Sequence, residues 1–320
     1  MITYFCAVSE MQENKELIPS PFSGLIYKIF VFFMCFLGLM LLASLISRAV
    51  MPALFHIGDE KLFWSDAAYR VQHMDAVVFA ILLNGTVFIL TPLVYARIVH
   101  RSESDYFKLS NKPDPISTLL AILAIVVVVP FVSLLGELTT MLPLSDSIME
   151  AMMDASESSR MVQSKLLAIE SFPQMILVLL VLAVLPALGE ELLVRGGIQK
   201  MLLEEGRSGW FSVLMASLFF ATIHLQFDNF LGILTYGMIL GFLYLWTQNL
   251  WVSIIAHFFN NASIVLISFF SDYDVLGTST DNFSILLISG IISLLLSAGL
   301  LYLIYKRSHQ NRIHIGHGME

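Results

Sequence analysis

The stretch VLPALGEELLVRGGIQ, Val184 to Gln199, decides how this chain is read. Seventeen mostly apolar residues, Phe172 to Leu188, lead straight into two adjacent carboxylates, Glu190 and Glu191, with a guanidinium following at Arg195. On a soluble helix three such charges are ordinary. The rest of the chain argues against a soluble setting: 57% of its 320 residues are hydrophobic and only 13% are charged, with a mean hydropathy of +0.80. Soluble domains carry about 25% charged residues. Charges placed inside such a chain are costly, face a bundle interior and mark function by default.

Spanning helices need runs of about 20 apolar residues. The sequence offers eight: Leu25–Ser47, Ala76–Val99, Ile116–Leu138, Phe172 to about Lys200, Trp210–Leu225, Phe230–Thr247, Leu250–Phe270 and Phe283–Tyr305. Only helices and closed barrels satisfy their backbone in lipid, and continuous apolar runs rather than alternating segments select helices. The expected fold is therefore all-α, a multi-pass bundle of about eight spans forming one membrane domain over residues 1–320. Pro92, Pro130 and Pro186 fall inside spans, where neighbouring helices can cover the freed carbonyls. Two cysteines, Cys6 and Cys35, are too few for a disulfide framework. A net charge of -8 gives no nucleic-acid signature. The first twenty residues lack a basic region followed by an apolar core, so no cleavable signal peptide is expected.

Lysine and arginine set the sidedness. With the N-terminus inside, Lys15, Lys28, Arg97, Arg101, Lys108, Lys112, Lys200, Arg207, Lys306, Arg307 and Arg312 fall on the cytoplasmic side. Arg48, Lys61, Arg70, Arg160 and Lys165 fall outside. Arg195 apart, that is 11 against 5, so both termini are expected in the cytoplasm. The connection SDYDVLGTSTDN, with three aspartates and no base, and the long polar segment Thr139–Ser171 then lie outside, the latter as a loop or interfacial helix.

Few ionisable groups remain within the spans. Glu191 and Arg195 are four apart, share a helix face and can pair, whereas Glu190 is turned by about 100° from Glu191. His224 ends the fifth span, and His257 and Asn261 share a face of the seventh. At 1.5 Å per residue, Glu190 lies about 15 Å from Lys200 and His224 about 20 Å from Trp210; His257 and Asn261 lie about 10 and 16 Å from Leu250. One carboxylate, two imidazoles and an amide thus reach a similar depth. Each has a plainer reading. An intramembrane His or Asn often bonds one helix to another, and a buried Glu–Arg pair is commonly structural. Tyr236 with Gly232, Gly237 and Gly241 reads as a close-packing face. Glu190 has no such structural use.

With these residues assembled, the chain resembles the CAAX prenyl protease and bacteriocin-processing family of intramembrane glutamic endopeptidases. The family's EExxxR, FxxxH and HxxxN patterns appear in order as EELLVR (Glu190–Arg195), FATIH (Phe220–His224) and HFFNN (His257–Asn261). The resemblance implies a catalytic core over residues 172–270 acting on a membrane-associated peptide or protein in the lipid bilayer, with no cofactor and no metal. It implies that Glu190 and His224 activate a water, that His257 and Asn261 steady the oxyanion, that Glu191 and Arg195 hold their helix, and that Phe220 packs beneath His224. Three rival readings stay open. Glu190, His224 and His257 could be a three-ligand zinc site, although no HExxH is present and Asn261 would be idle. The chain could be a non-catalytic immunity or scaffold protein, or a transporter using its carboxylates as proton carriers.

Overall fold

The computed structural model describes residues 24–58, 66–100, 106–143, 145–271 and 282–317. The expectation of no signal peptide, Cys6, and most of the acidic SDYDVLGTSTDN connection lie outside these residues. The protein is 87% helical, with no strand among the described residues. In chain order the helices are α1 (Leu25–Phe55), α2 (Ala67–Gln72), α3 (Met74–Val99), α4 (Pro115–Val127), α5 (Val129–Thr140) and α6 (Asp146–Leu167). Then come α7 (Phe172–Glu204), α8 (Gly209–Ile223), α9 (Phe230–Thr247), α10 (Leu250–Phe270) and α11 (Phe283–His317). Six of these (α1, α3, α7, α9, α10 and α11) are long and apolar enough to cross a membrane. This is an all-α, multi-pass integral membrane protein.

The third and fifth expected spans take different forms. Ile116–Leu138 is two helices, α4 and α5, meeting at a 41° bend. Pro130, just inside α5, lacks the N–H that would continue the ladder, and its ring excludes the carbonyl four residues back. Counting the bent pair as one span gives seven. The fifth, α8, is apolar but only 15 residues long, short of a full crossing at 1.5 Å per residue.

Burial sorts the helices into layers. In the most apolar window of α1 and α11 only 11% and 17% of residues are buried, against 44–50% in α7, α9 and α10. The first pair therefore faces lipid and the other three form the interior. Around α7, one side is closed by α1 and α3, with Phe32 and Tyr95 edge to face at 5.4 Å. The other side carries α4, α9, α10 and α11, joined through Ile125, Leu240, Leu243, Val252 and Ile304. Approach to α7 is close where side chains are absent. A Cβ on Gly197 would sit 2.6 Å from the Phe32 ring. Gly197→Leu should therefore lower stability by about 1–3 kcal/mol, the cost of overpacking. A melting curve of the purified variant checks this.

Helix ends follow local chemistry. Asp114 caps α4, accepting from the Ser117 backbone N–H at 2.8 Å, with Pro115 preset at the first helical position. The same carboxylate takes the fork of Arg307 on α11 at 2.7 and 2.9 Å. That fork first, and the Ser117 bonds next, hold the Asp114 carboxyl far below the usual carboxylate range. Because the native value lies below the unfolded one, this contribution is complete above an unfolded value of about 3.9 and fades as pH falls through the native one. Asp114→Ala should cost about 1 kcal/mol from the lost cap alone; equal melting of variant and parent would contradict the assignment.

Candidate active site

Helix α7 departs from regular geometry where the charged residues sit. Two wide turns with i→i+5 bonding, Leu180–Val184 and Leu192–Gln199, flank the α-helical segment Leu185–Glu191. Such turns are uncommon and recur at functional sites. The first precedes Pro186, whose ring cannot accommodate a regular i→i+4 ladder. The second contains Gly196 and Gly197. A Cβ on Gly196 would lie 2.8 Å from the Phe107 ring.

The two glutamates end in different surroundings. Glu191 is fully buried and its Oε1 accepts from Arg195 Nη1 at 2.6 Å. The same oxygen lies 2.9 Å from His257 Nδ1. Arg195, also fully buried, donates from Nη2 to the Gly237 carbonyl at 2.8 Å. Its guanidinium lies over the Phe220 ring, 4.7 Å from the centroid. Opposite charges, a carbonyl and an aromatic face together offset much of the desolvation that isolated ions would suffer. The chain Arg195–Glu191–His257 ties α7 to α9 and α10 through charge-assisted bonds.

Glu190 instead lines a cavity of about 1080 Å³. Its Oε2 is 3.7 Å from His224 Nε2 and 3.9 Å from His257 Nε2. That oxygen is buried and has no hydrogen-bond partner. Both imidazoles thus turn their Nε2 toward one carboxylate oxygen, while their Nδ1 atoms are engaged elsewhere. His224 Nδ1 contacts the Phe220 carbonyl at 2.7 Å, and His257 Nδ1 contacts Glu191. An Nδ1–H donated to an acceptor leaves Nε2 facing the cavity, where it accepts in the neutral ring and donates in the imidazolium. Asn261 lines the same cavity, as does Asn260 beside it. The Phe220 ring lies against His224 with centroids 4.3 Å apart, tilted by 49°.

The structure therefore brings Glu190, His224, His257 and Asn261 to one cavity wall, with Glu191, Arg195 and Phe220 packed behind them. Three features of this region were not legible as part of a site. Tyr236 lines the cavity rather than only packing helices; its ring meets His257 edge to face at 5.7 Å, and its buried hydroxyl has no partner. Leu225, next after His224, has φ +54°. That left-handed backbone is uncommon outside glycine and asparagine, costs on the order of 1 kcal/mol, and fixes where the chain leaves His224.

The third feature is the polar segment between the third and fourth expected spans. It is a helix, α6, and its residues Ser158, Ser159, Val162, Gln163 and Leu166 line the cavity. Asp228 anchors it: this carboxylate is 3% exposed and accepts from both Ser156 and Arg160 of α6. Arg70 of α2 holds it from the other side through Ser158 Oγ at 2.6 Å. Asp228 sits four residues after His224, so α6 and the end of α8 are mechanically joined. Asp228→Asn should loosen that junction and lower stability by about 1–3 kcal/mol, leaving Arg160 without its buried partner. Unchanged melting would show that the junction carries nothing.

Among the described residues, no group of three or more His, Cys, Asp or Glu side chains is arranged to hold a metal ion.

Residues 172–263 match the family model described as type II CAAX prenyl endopeptidase Rce1-like. The match spans α7, α8, α9 and the first two thirds of α10, and includes every motif residue named above. The resemblance drawn from EELLVR, FATIH and HFFNN thus holds over this segment, and the family indicates a membrane peptidase. No curated protein and no solved structure matches the chain.

Proposed function

We propose that this chain, a relative of the type II CAAX prenyl endopeptidases over residues 172–263, is an intramembrane endopeptidase that hydrolyses its substrate with a glutamate-activated water. The observation that carries this reading is the Glu190 Oε2 atom. It is buried, unpartnered, and held within 3.7 and 3.9 Å of two imidazole nitrogens at the wall of a large cavity. A buried acceptor without a donor is costly, and a water between the carboxylate and His224 would satisfy it.

In this reading the Glu190 carboxylate, at the wall of the cavity, serves as general base. Glu190 takes a proton from the water, the resulting hydroxide adds to the peptide carbonyl, and negative charge moves onto the carbonyl oxygen. His257, held by Glu191, and the Asn261 amide donate to that oxygen. Collapse of the intermediate returns the proton to the departing amine. His224 orients the water, its ring fixed by Phe220. The substrate is a membrane-associated peptide or protein, received by the cavity that α3, α5, α6, α7 and α10 line around Glu190. The cell membrane as location, and both termini in the cytoplasm, belong to the same proposal.

Two experiments test it. Purified protein should release the C-terminal residues of a quenched fluorescent peptide bearing a prenylated cysteine of the C-a-a-X type. Asn261→Ala should lower kcat by roughly 10²–10³-fold with little change in KM, as expected for loss of one oxyanion donor. No cleavage of the peptide by the parent, or an Asn261→Ala variant with parental kcat, would overturn the reading.

A further inference from the structure

The cavity around Glu190 is open on one side of the bundle. Val126 and Val129, at the junction of α4 and α5, line it and yet are 47% and 45% exposed. Ile267 of α10 lines it too and is 43% exposed. Residues that wall a sealed interior are not nearly half exposed. Val126 also continues the outward stripe of α4, at helical spacing from the exposed Leu119 and Leu123. Ile267 shares its face of α10 with the exposed Phe270. At this place the outer surface of the bundle and the wall of the cavity are the same residues, which makes a mouth.

The bend creates it. Helix α4 packs along α10, whereas α5, past the bend, packs on α9 and α11 instead. The bend is built in from two sides. Pro130 offers no N–H to the Val126 carbonyl. The Ser293 hydroxyl of α11 enters the next rung, accepting from the Phe131 N–H at 3.3 Å and donating to the Val127 carbonyl at 2.6 Å. A side chain inserted into the helical ladder holds a kink. At 1.5 Å per residue, Val126 and Val129 lie about 17 and 21 Å from the start of α4. That is deep within hydrocarbon about 30 Å thick. Ile264 and Ile267 face the gap from α10, and α6 adds Ser158, Ser159 and Gln163 to the cavity at its end. The mouth is therefore apolar at depth and polar where α6 crosses.

We infer that the gap between α5 and α10 admits the hydrocarbon anchor of a membrane-tethered substrate, with the chain lying between Val126, Val129, Ile264 and Ile267. This rests on the proposed glutamate-activated hydrolysis and deepens it, by giving the route to Glu190 and the residues that select for a tether. At that depth a bare peptide backbone leaves its N–H and C=O groups unsatisfied. A hydrocarbon chain has no such groups, so it crosses from lipid to the apolar walls at little cost and draws the attached peptide toward Glu190.

The test uses the prenylated peptide with a photoactivatable diazirine in its hydrocarbon chain, bound to Glu190→Gln protein in lipid nanodiscs. Irradiation followed by peptide mapping should place adducts within residues 126–133 and 263–267, and excess unlabelled peptide should remove them. Adducts confined to α1, α3 or α7, or adducts that competition does not reduce, would overturn the inference. Kinetics give a second reading on active protein. Val129→Trp and Ile267→Trp each put a larger ring into the gap and should raise KM for the prenylated peptide by about tenfold with kcat little changed, the pattern of lost uniform binding. Parental KM in both variants would also overturn it. Cleavage by Glu190→Gln would instead overturn the hydrolytic mechanism, and adducts on α5 and α10 would still locate the route.

Discussion

Glu190→Gln is expected to abolish turnover, lowering kcat by roughly 10³–10⁴-fold or more, while expression and melting stay close to the parent. The size follows from the role: a positioned general base contributes typically 10²–10⁴-fold, and here it also generates the nucleophile. Glutamine keeps the shape and can hold a water, but it cannot take the proton. Stability should change little because Glu190 balances no buried cation at bonding distance. Its Oε2 lies 3.7 and 3.9 Å from the Nε2 atoms of His224 and His257 and has no hydrogen-bond partner. Removing the charge of such a carboxylate relieves a desolvation cost rather than adding one. Near-parental cleavage by Glu190→Gln would end the glutamate mechanism, and loss of fold would move Glu190 to a structural role.

The neighbouring substitution should behave in the opposite way. Glu191→Gln leaves the fully buried Arg195 without its carboxylate, and breaking a buried pair by removing one partner costs about 3–5 kcal/mol. The Gly237 carbonyl and the Phe220 face remain, but neither carries a compensating charge. His257 would also lose the anion that holds its Nδ1, so the surviving folded fraction should have a reduced kcat. Replacing both partners, as in Glu191→Leu with Arg195→Met, should recover part of the lost stability, because no uncompensated charge remains. Melting curves of the two single variants and the double variant in one detergent measure this. Equal melting of Glu191→Gln and parent would show that the pair does not hold α7.

The parts of this site that were legible in the sequence share one physical cause. Ionisable groups in a lipid-facing chain are expensive, so Glu190, Glu191, Arg195, His224 and His257 stand out against their spans, and spacing alone separates the two glutamates. The all-α bundle was legible for the same reason, through the length of the apolar runs. What stayed hidden was set by tertiary context. The amphipathic segment 146–167 has ordinary soluble-helix composition, and nothing local says that it lines a cavity or that Asp228, far along the chain, holds it. The bend between α4 and α5 follows Pro130, but prolines are common inside spans and the angle is a property of packing. Tyr236 follows a glycine-rich face and reads as packing until His257 is placed beside it. The wide turns of α7 change helical phase, and Pro186, Gly196 and Gly197 at them are residue types common in membrane spans, so they do not announce it.

The central claim is that Glu190 activates water without a bound metal, and the most direct measurement is cleavage by protein of known metal content. Purified protein should be passed through a strong chelator, its zinc and other transition metals measured by elemental analysis, and its rate on the prenylated peptide compared before and after. The account predicts an unchanged kcat at far less than one metal per chain, with the same preparation of Glu190→Gln inactive. Stoichiometric zinc, with activity lost on stripping and restored when zinc is returned, would contradict it and make Glu190, His224 and His257 metal ligands instead.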